Sequence, residues 1–375
     1  MKTTRVHGEP SWRIASETVE AFVTKRGGHL APVTFDRKGA AIQPYAIAPW
    51  IGEKLPSDLP PILQVLRGDF FCMPFGGNTT PFKGERHQIH GQTANEPWNF
   101  ESLTDGRLHL SMATTTRAGR VDKTISVRDG HNAVYCKHVI SGMTGPMDLG
   151  HHATLKFPDT PNSGLISTSP FVFGQVFPGT VERPEERGYS ALKEGARFES
   201  LSHVAMANGE IADLSRYPAR RGFEDVAMIV AEPSASLAWT AVSFPKQRYV
   251  WFALKDPGVL RNTVFWMSNG GRHYPPWSGR HISVMGLEEV TANFALGLAE
   301  SARKNSLTEL GYPTTLKLSA RRPTVINYIM AVAGVPAGFD RVRSITPGGD
   351  GVILTSESGL SVSQALAPEF IHSGP

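Results

Sequence analysis

The sequence predicts an all-β protein, one large antiparallel β-sandwich with few short helices. Three observations predict it. Glycine and proline are frequent, 37 and 28 among 375 residues, and are spread along the whole chain. The segments between them are short and alternate apolar with polar residues, which is typical of half-buried antiparallel strands. Helical periodicity is nearly absent, and 40% of the residues are hydrophobic, enough to bury a sizeable core.

The strand-like segments follow one another with turn residues between them. They lie at 19–24, 108–113, 121–127, 134–140, 227–230, 237–244, 249–254, 263–267 and 282–287. One helix is predicted over 299–310, because Gly311 follows it and Pro313 lies two residues beyond, a usual helix end. Two loop-rich regions, 43–61 and 180–222, are long for a compact domain, and we expect them to form walls or lids of a binding site.

We expect one domain over residues 1–375, because no internal repeat and no linker-like change of composition divides the chain. Its core spans about residues 11–320. Residues 321–375 either complete the sandwich or form a small extension. The alternative is a sandwich followed by a small separate β unit that begins near residue 314.

Composition argues against several classes of function. The net charge is only +4 and the basic residues form no dense cluster, so we expect no nucleic acid partner. The N-terminus lacks the apolar run of a signal peptide, and no stretch approaches the roughly twenty apolar residues of a membrane helix. We therefore expect a soluble, cytoplasmic protein that does not bind membranes. The only two cysteines, Cys72 and Cys136, give no disulfide framework and no metal-binding spacing.

The most informative stretch is a loop over residues 272–280 followed by a strand that leads to Glu288. The loop combines basic residues with aromatic ones, among them Arg272, His273 and Trp277. A carboxylate at the end of the strand, beside such a loop, can be partly desolvated and tuned by cations, as a general base requires. The alternative is a solvated glutamate at a strand end.

Three further clusters could serve a binding site. Arg67 precedes glycine and aromatic residues, and its guanidinium fork suits pairs of sugar hydroxyls or a carboxylate. His90 precedes a glycine that would let a ligand approach the backbone, and Trp98 offers a flat face for a sugar ring. His151 and His152 are adjacent, so on a strand they point to opposite faces and at most one faces a given groove.

Taken together and in this order, the clusters resemble the aldose 1-epimerase (galactose mutarotase-like) superfamily over about residues 11–320. The motifs that carry the resemblance are Arg26-Gly-Gly-His-Leu30, Arg67-Gly68 leading into Met73-Pro-Phe-Gly76, His90-Gly91 with Trp98 after it, Gly150-His-His-Ala153 and Gly286-Leu-Glu288. The resemblance implies a β-supersandwich with its site in a groove on one large sheet. This chain departs from the family pattern where Glu289 replaces a proline, and it lacks the asparagine-arginine step of galactose mutarotases.

The resemblance also implies roles for single residues. Glu288 is similar to the general base that takes the proton from the anomeric hydroxyl, and His152, favoured over His151, to the general acid that protonates the ring oxygen. His90 and Arg67 are similar to the residues that bind the sugar. The full set of expected substrate-binding residues is Arg67, His90, His151, Trp98, Arg272, His273 and Trp277.

The expected function is an isomerase of carbohydrate metabolism that binds a free aldose and interconverts its anomers by general acid/base ring opening. This chemistry requires no metal and no organic cofactor, and we expect a monomer or homodimer. Two alternatives remain: a non-catalytic sugar-binding sandwich, and another carbohydrate-active enzyme, a lyase or hydrolase, on the same fold. Arg272, His273 and Arg280 either supply positive charge for an acidic sugar or are unpaired surface charges.

Overall fold

A computed structural model describes residues 2–375 and contains two large antiparallel sheets. The first has nine strands and the second has seven, and they pack face to face around the main apolar core. A four-stranded and a three-stranded sheet and two short ladders complete the structure. The prediction of an all-β antiparallel sandwich with few short helices is confirmed.

The strands are named here in chain order. They are β1 (Thr4–Val6), β2 (Glu9–Ala15), β3 (Glu20–Thr24), β4 (Leu30–Thr34), β5 (Phe71–Cys72), β6 (Asn99–Thr104), β7 (Arg107–Thr114), β8 (Gly119–Val127), β9 (Ala133–Ser141), β10 (Gly145–Met147), β11 (Leu149–Lys156), β12 (Gly164–Thr168), β13 (Phe171–Val176), β14 (Arg197–Phe198), β15 (Val204–Ala205), β16 (Ile211–Ala212), β17 (Arg216–Tyr217), β18 (Phe223–Ala231), β19 (Ala238–Phe244), β20 (Tyr249–Lys255), β21 (Asn262–Asn269), β22 (Val284–Thr291), β23 (Leu316–Leu318), β24 (Thr324–Gly334), β25 (Val342–Gly348), β26 (Gly351–Ser356) and β27 (Ser361–Ala365).

The helices are short. They are α1 (Pro61–Val65), α2 (Gly91–Asn95), α3 (Leu298–Ala302) and α4 (Ser306–Glu309), with single 3₁₀ turns at Pro184–Glu186 and Pro368–His372. Within residues 2–375 none of these helices has the length and apolar character needed to cross a membrane.

The order of strands in the two large sheets explains why some strands alternate and others do not. The nine-stranded sheet runs β17-β12-β19-β20-β24-β9-β8-β7-β6, and the seven-stranded sheet runs β14-β13-β18-β21-β22-β11-β5. In β8 every second residue from Val121 to Val127 is buried, so one face points to the core and the other does not. Strands β19 and β20 are buried along their whole length, because this part of the sheet is covered on both faces.

The C-terminal residues contribute in two ways. Strand β24 lies between β20 and β9 in the middle of the nine-stranded sheet. Strands β25–β27 form their own antiparallel sheet, whose apolar residues pack against the outer face of the nine-stranded sheet. Val342 and Leu354 in this small sheet share a buried cluster with Phe252 of β20.

A third apolar cluster lies on the outer face of the seven-stranded sheet. Val264 of β21 and Val290 of β22 belong to it, together with Ile62 of α1 and Trp277 of the 272–280 loop. This cluster positions the candidate site, because it covers the same face of the sheet as Glu288.

Two predictions about local elements are wrong. Glu288 does not end its strand, since β22 continues to Thr291 and places Glu288 within the hydrogen-bonded ladder. The single helix expected over 299–310 is divided into α3 and α4, because the side chain of Asn305 accepts hydrogen bonds from the backbone N–H groups of Leu307 and Thr308 and starts a new helix. Gly311, at a φ of +87°, follows α4.

Candidate active site

Glu288 and His152 are paired across neighbouring strands. In the antiparallel ladder between β11 and β22, His152 lies directly opposite Glu288. Directly opposite residues point to the same face of a sheet, so the two side chains meet. The His152 Nε2 lies 3.1 Å from the Glu288 Oε1, and the residues are 4% and 3% exposed. A carboxylate and an imidazole therefore share one buried position on the outer face of the seven-stranded sheet.

The residue next to each of them points the other way, into the core between the two large sheets. His151 places its Nδ1 2.8 Å from the Oδ2 of Asp69, and Glu289 accepts hydrogen bonds from Lys255 and Thr240. His151 was expected among the substrate-binding residues, but the structure places it in the sandwich interior, because successive residues of a strand alternate between faces.

A cavity of about 200 Å³ opens above the Glu288–His152 pair. Its ionisable lining residues are His90, His152, Arg272 and Glu288. Trp277, which was expected at the site, also lines it. Of the nine candidate residues, the structure thus brings together His90, His152, Arg272, Trp277 and Glu288.

The walls of the cavity are apolar. Ile62, Leu63 and Leu66 line one side from α1 and the residue after it, and Val226 and Val264 line it from β18 and β21. Such walls keep water away from the pair, and a low-dielectric surrounding strengthens the interactions between charged groups.

His90 is held in one tautomer by the backbone. It has a left-handed conformation with a φ of 57° just before α2, and its Nδ1 accepts a hydrogen bond of 3.3 Å from the Gly76 N–H. Burial lowers the pKa of His90 to about 4, so the ring is neutral near pH 7. Because Nδ1 is the acceptor, the ring proton lies on Nε2, and His90 is a hydrogen-bond donor.

Burial moves the pKa values of Glu288 and His152 in opposite directions. Desolvation raises the pKa of the Glu288 carboxyl well above its usual range, and the positive charge of Arg272 opposes this rise. Desolvation lowers the pKa of His152, and the neighbouring His90 lowers it further. Burial thus favours the uncharged form of each group, a carboxylic acid at Glu288 and a neutral imidazole at His152.

Gly286 makes room for the Glu288 carboxylate. The two residues lie on the same face of β22, and a Cβ atom at position 286 would stand 2.7 Å from the Glu288 Oε1 and 3.2 Å from the Trp266 ring. A side chain there would have to displace the carboxylate. This contact gives a physical reason for the Gly-Leu-Glu spacing in the sequence.

Arg272 packs against an aromatic ring and is paired with two glutamates. Its guanidinium carbon lies 4.5 Å from the centre of the Trp277 ring, its Nε donates to Glu182 at 2.5 Å, and its Nη1 lies 3.6 Å from Glu224. Burial in turn raises the pKa of Glu224 to about 7. Arg272 is thus not an unpaired surface charge, and that interpretation is corrected.

The two other basic residues of the loop lie outside the cavity. Arg280 forms an ion pair with Glu53, with its Nη1 2.5 Å from the Oε1. The His273 ring packs edge-on against the Tyr189 ring, with their centres 5.7 Å apart, and does not line the cavity. The expected contact of His273 with substrate therefore has no support in the structure.

Arg67 does not line the cavity, although the family resemblance implied that it binds the sugar. The residue is 1% exposed, and its guanidinium donates hydrogen bonds to the backbone carbonyls of Val65, Val6 and His7 at 3.0–3.1 Å. Two of these hydrogen bonds fasten the N-terminal hairpin to the segment after α1. We correct the expected sugar contact to a structural one.

Trp98 is likewise structural. It is fully buried and donates from its Nε1 to the carbonyl of Thr93 at 3.0 Å. The Lys123 ammonium lies 5.4 Å from its ring centre. Trp98 belongs to the core between the large sheets and not to the cavity, so no sugar ring can pack on it.

Sequence reasoning missed several residues of the site. Phe70 stacks on His152 with the ring centres 4.5 Å apart, and Trp266 meets His152 edge-on at 5.6 Å. Phe70 lies between Arg67-Gly68 and Met73, in one of the motifs that carry the resemblance, so the motif indicated the right segment but the wrong residue. Trp266 faces Gly286 across the β21–β22 ladder, a partnership that only the register reveals.

Neither loop-rich region supplies a residue that lines the cavity, but each packs against lining residues from behind. From residues 43–61, Trp50 packs against Trp277 with ring centres 4.7 Å apart. From residues 180–222, Glu182 accepts hydrogen bonds from Arg272 and Tyr274. Within residues 2–375, no three His, Cys, Asp or Glu side chains are grouped in a way that could hold a metal ion.

The chain has the fold of galactose mutarotase-like proteins. An aldose 1-epimerase of provisional assignment from Escherichia coli K12 aligns with a TM-score of 0.59 at 13% identity, over 88% of this chain and 100% of the other. A galactose mutarotase related enzyme from Lactobacillus acidophilus aligns with a TM-score of 0.56 at 11% identity, over 87% and 98%. A galactose mutarotase-like protein from Lactobacillus casei aligns with a TM-score of 0.56 at 11% identity, over 86% of this chain and 100% of the other.

No model of a known protein family matches the sequence, and no curated protein resembles it closely enough to be recognised by sequence. The expected resemblance is therefore confirmed at the level of the fold, for a divergent chain. One fold hosts many activities, so function has to be argued from the site.

Proposed function

We propose that this protein is an isomerase that interconverts the two anomers of a free aldose or a related cyclic hemiacetal by general acid/base ring opening. The observation that carries the proposal is the pairing of Glu288 and His152 in one buried cavity, 3.1 Å apart and on the same face of the sheet. Two oxygens of a hemiacetal belong to one carbon, so two adjacent protein groups can reach both.

In the proposed reaction, the Glu288 carboxylate takes the proton of the anomeric hydroxyl while the His152 imidazolium gives its Nε2 proton to the ring oxygen. The bond between the anomeric carbon and the ring oxygen breaks, and the products are an aldehyde and a hydroxyl group. Rotation of the aldehyde and the reverse proton transfers close the ring on its other face. The Nε2–H of His90 is a donor for a substrate oxygen.

The number of protons that the Glu288–His152 pair holds supports this reaction. The reactive form, an ionised Glu288 beside a protonated His152, contains the same single proton as the uncharged pair that burial favours. The pair therefore reaches its reactive form by an internal transfer, without uptake of a proton from water. Each positioned transfer contributes roughly 10²–10⁴-fold in rate.

The size of the cavity speaks against a polysaccharide lyase or hydrolase, because about 200 Å³ holds one ring and not a chain of sugars. A non-catalytic sugar-binding protein remains the second candidate, and it predicts bound sugar whose anomers exchange at the uncatalysed rate.

One experiment separates these candidates. Saturation transfer between the two anomeric protons in NMR measures exchange at equilibrium for glucose, galactose and less hydroxylated hemiacetals. The proposal predicts accelerated exchange with the wild-type protein and loss of the acceleration in Glu288→Gln. Glu53→Gln, an exposed glutamate outside the cavity, is the matched control and should exchange substrate at the wild-type rate. Binding without acceleration would favour the second candidate.

A further inference from the structure

We infer that the substrate of this cavity is a cyclic hemiacetal with few hydroxyl groups beyond the reacting carbon, and with an apolar substituent, in preference to a fully hydroxylated aldose. The inference rests on the proposed function and names the substrate class for the same site. It follows from three features: the apolar walls of the cavity, the hydrogen bonds and ion pairs that its few polar groups already make within the protein, and the size and rim of the cavity.

The walls offer almost no partners for hydroxyl groups. Among the described residues that line the cavity, only His90, His152, Arg272 and Glu288 carry polar groups other than an indole N–H, and all others are aliphatic, aromatic or glycine. No serine, threonine, asparagine, glutamine, aspartate or lysine is among these lining residues. A free aldohexose brings several hydroxyl groups besides the anomeric one, and each would have to find a partner in the cavity or lose its water without compensation.

Part of the polar capacity of the lining residues is already used. Arg272 is engaged with Glu182 and Glu224, and the Trp266 Nε1 donates to Glu224 at 2.6 Å, away from the substrate. The Nδ1 of His90 accepts from the backbone. What remains is the reacting pair, the Nε2–H of His90 and the Nη groups of Arg272, one of which lies close to Glu224. These groups can serve the two oxygens of a hemiacetal and only a few further oxygens.

The size and rim of the cavity agree with a small, partly apolar molecule. Its volume of about 200 Å³ is below the roughly 300–1,000 Å³ typical of sites for drug-sized ligands, so it takes one ring with small substituents. Ile89 lines the cavity and is 36% exposed, and Leu63 lines it while only partly buried. An apolar substituent of the ring would cover these side chains, whereas a hydroxymethyl group would not gain from them.

The test uses three compounds that differ in hydroxyl groups but share the six-membered hemiacetal: 6-methyltetrahydropyran-2-ol, a 6-deoxyhexose and glucose. The anomers of each are diastereomers, so saturation transfer measures their exchange after subtraction of the uncatalysed rate. We expect kcat/KM to fall in that order, with glucose at least ten-fold below 6-methyltetrahydropyran-2-ol. A hydrophobic pocket discriminates against added hydroxyl groups by roughly 10²-fold, which sets the scale.

Two outcomes would overturn the inference in distinguishable ways. If glucose exchanges as fast as 6-methyltetrahydropyran-2-ol or faster, the substrate class is wrong while the proposed function stands. If none of the three exchanges faster than in buffer, the proposed function falls, and the inference with it.

A wall variant tests the cause of the preference. Leu63→Asn places an amide on the partly exposed helix α1 and should shift the ratio of kcat/KM toward glucose by several-fold. Leu55→Asn is the matched control, because Leu55 is also partly buried near the third apolar cluster but does not line the cavity. An equal ratio in the Leu63 variant, its control and the wild type would show that the wall does not select the substrate.

Discussion

The Glu288 Oε1 and the His152 Nε2 lie 3.1 Å apart because the two residues are opposite each other in the β11–β22 ladder. The register of this one ladder brings together two residues that are 136 positions apart in the sequence. A slip of the ladder by one residue would turn one of the two side chains into the core. The proposed chemistry is therefore tied to the pairing of two neighbouring strands of the seven-stranded sheet, and not to a loop.

Gly286→Ala should impair catalysis more than stability. The added Cβ would stand 2.7 Å from the Glu288 Oε1, so the carboxylate must move, and a misplacement of about 1 Å can cost roughly 10²-fold in rate. Anomer exchange measured by NMR, together with thermal unfolding, checks this. Gly334→Ala is the control, because a Cβ there meets no atom within 4 Å. An unchanged exchange rate in Gly286→Ala would show that the position of the carboxylate is not critical.

Arg67→Gln should lower stability and leave substrate affinity unchanged. The variant loses hydrogen bonds to three backbone carbonyls, and buried groups without partners cost about 1–3 kcal/mol each. The free energy of unfolding in urea should fall by a few kcal/mol, while KM for the exchange reaction of the folded protein stays the same. Arg13→Gln, at an exposed ion pair, is the control. A raised KM at wild-type stability would restore the sugar contact that the resemblance implied.

Glu224→Gln should remove a pH dependence of stability. Burial raises the pKa of Glu224 from 4.5 in the unfolded chain to about 7, so below pH 4.5 the carboxyl is protonated in both states and costs nothing. As the pH rises from 4.5 to 7, the unfolded chain releases its proton first and the free energy of unfolding falls. Above pH 7 the full penalty of about 3 kcal/mol is present.

Urea unfolding of the wild type and of Glu224→Gln at pH 5 and pH 8 measures this effect. The wild type should lose more stability than the variant between the two pH values, and Glu53→Gln, at an exposed ion pair, should behave like the wild type. Equal losses in the wild type and in Glu224→Gln would mean that Glu224 is ionised in the folded protein with no penalty.

The fold class could be predicted because it depends on patterns that the sequence displays directly. Alternation in β8 and the mostly apolar sequences of β19 and β20 correspond to parts of the nine-stranded sheet that are covered on one face or on both. The end of the predicted helix at Gly311 was also readable, but its division was not. That division depends on Asn305, whose side chain caps the start of α4, so the residue is not part of a continuous helix.

The site was only partly predictable, for a physical reason. Alternation indicates that His151 and His152 face opposite sides, but the sequence alone does not indicate which side is the core. Arg67 and Phe70 lie in one motif, and only the folded chain decides that the arginine fastens the N-terminal hairpin while the phenylalanine stacks on His152. Contacts between distant strands, such as Trp266 with Gly286, require the register of the sheet.

The most direct test of the central claim is a double-mutant cycle on the rate of anomer exchange. Glu288→Gln and His152→Gln each remove one of the two proton transfers, and groups that act as a unit give strongly non-additive losses. We expect each single variant to lose roughly 10²-fold or more in rate, and the double variant to be hardly slower than either. A single variant with the wild-type rate, or a double variant whose loss is the product of the two single losses, would contradict it.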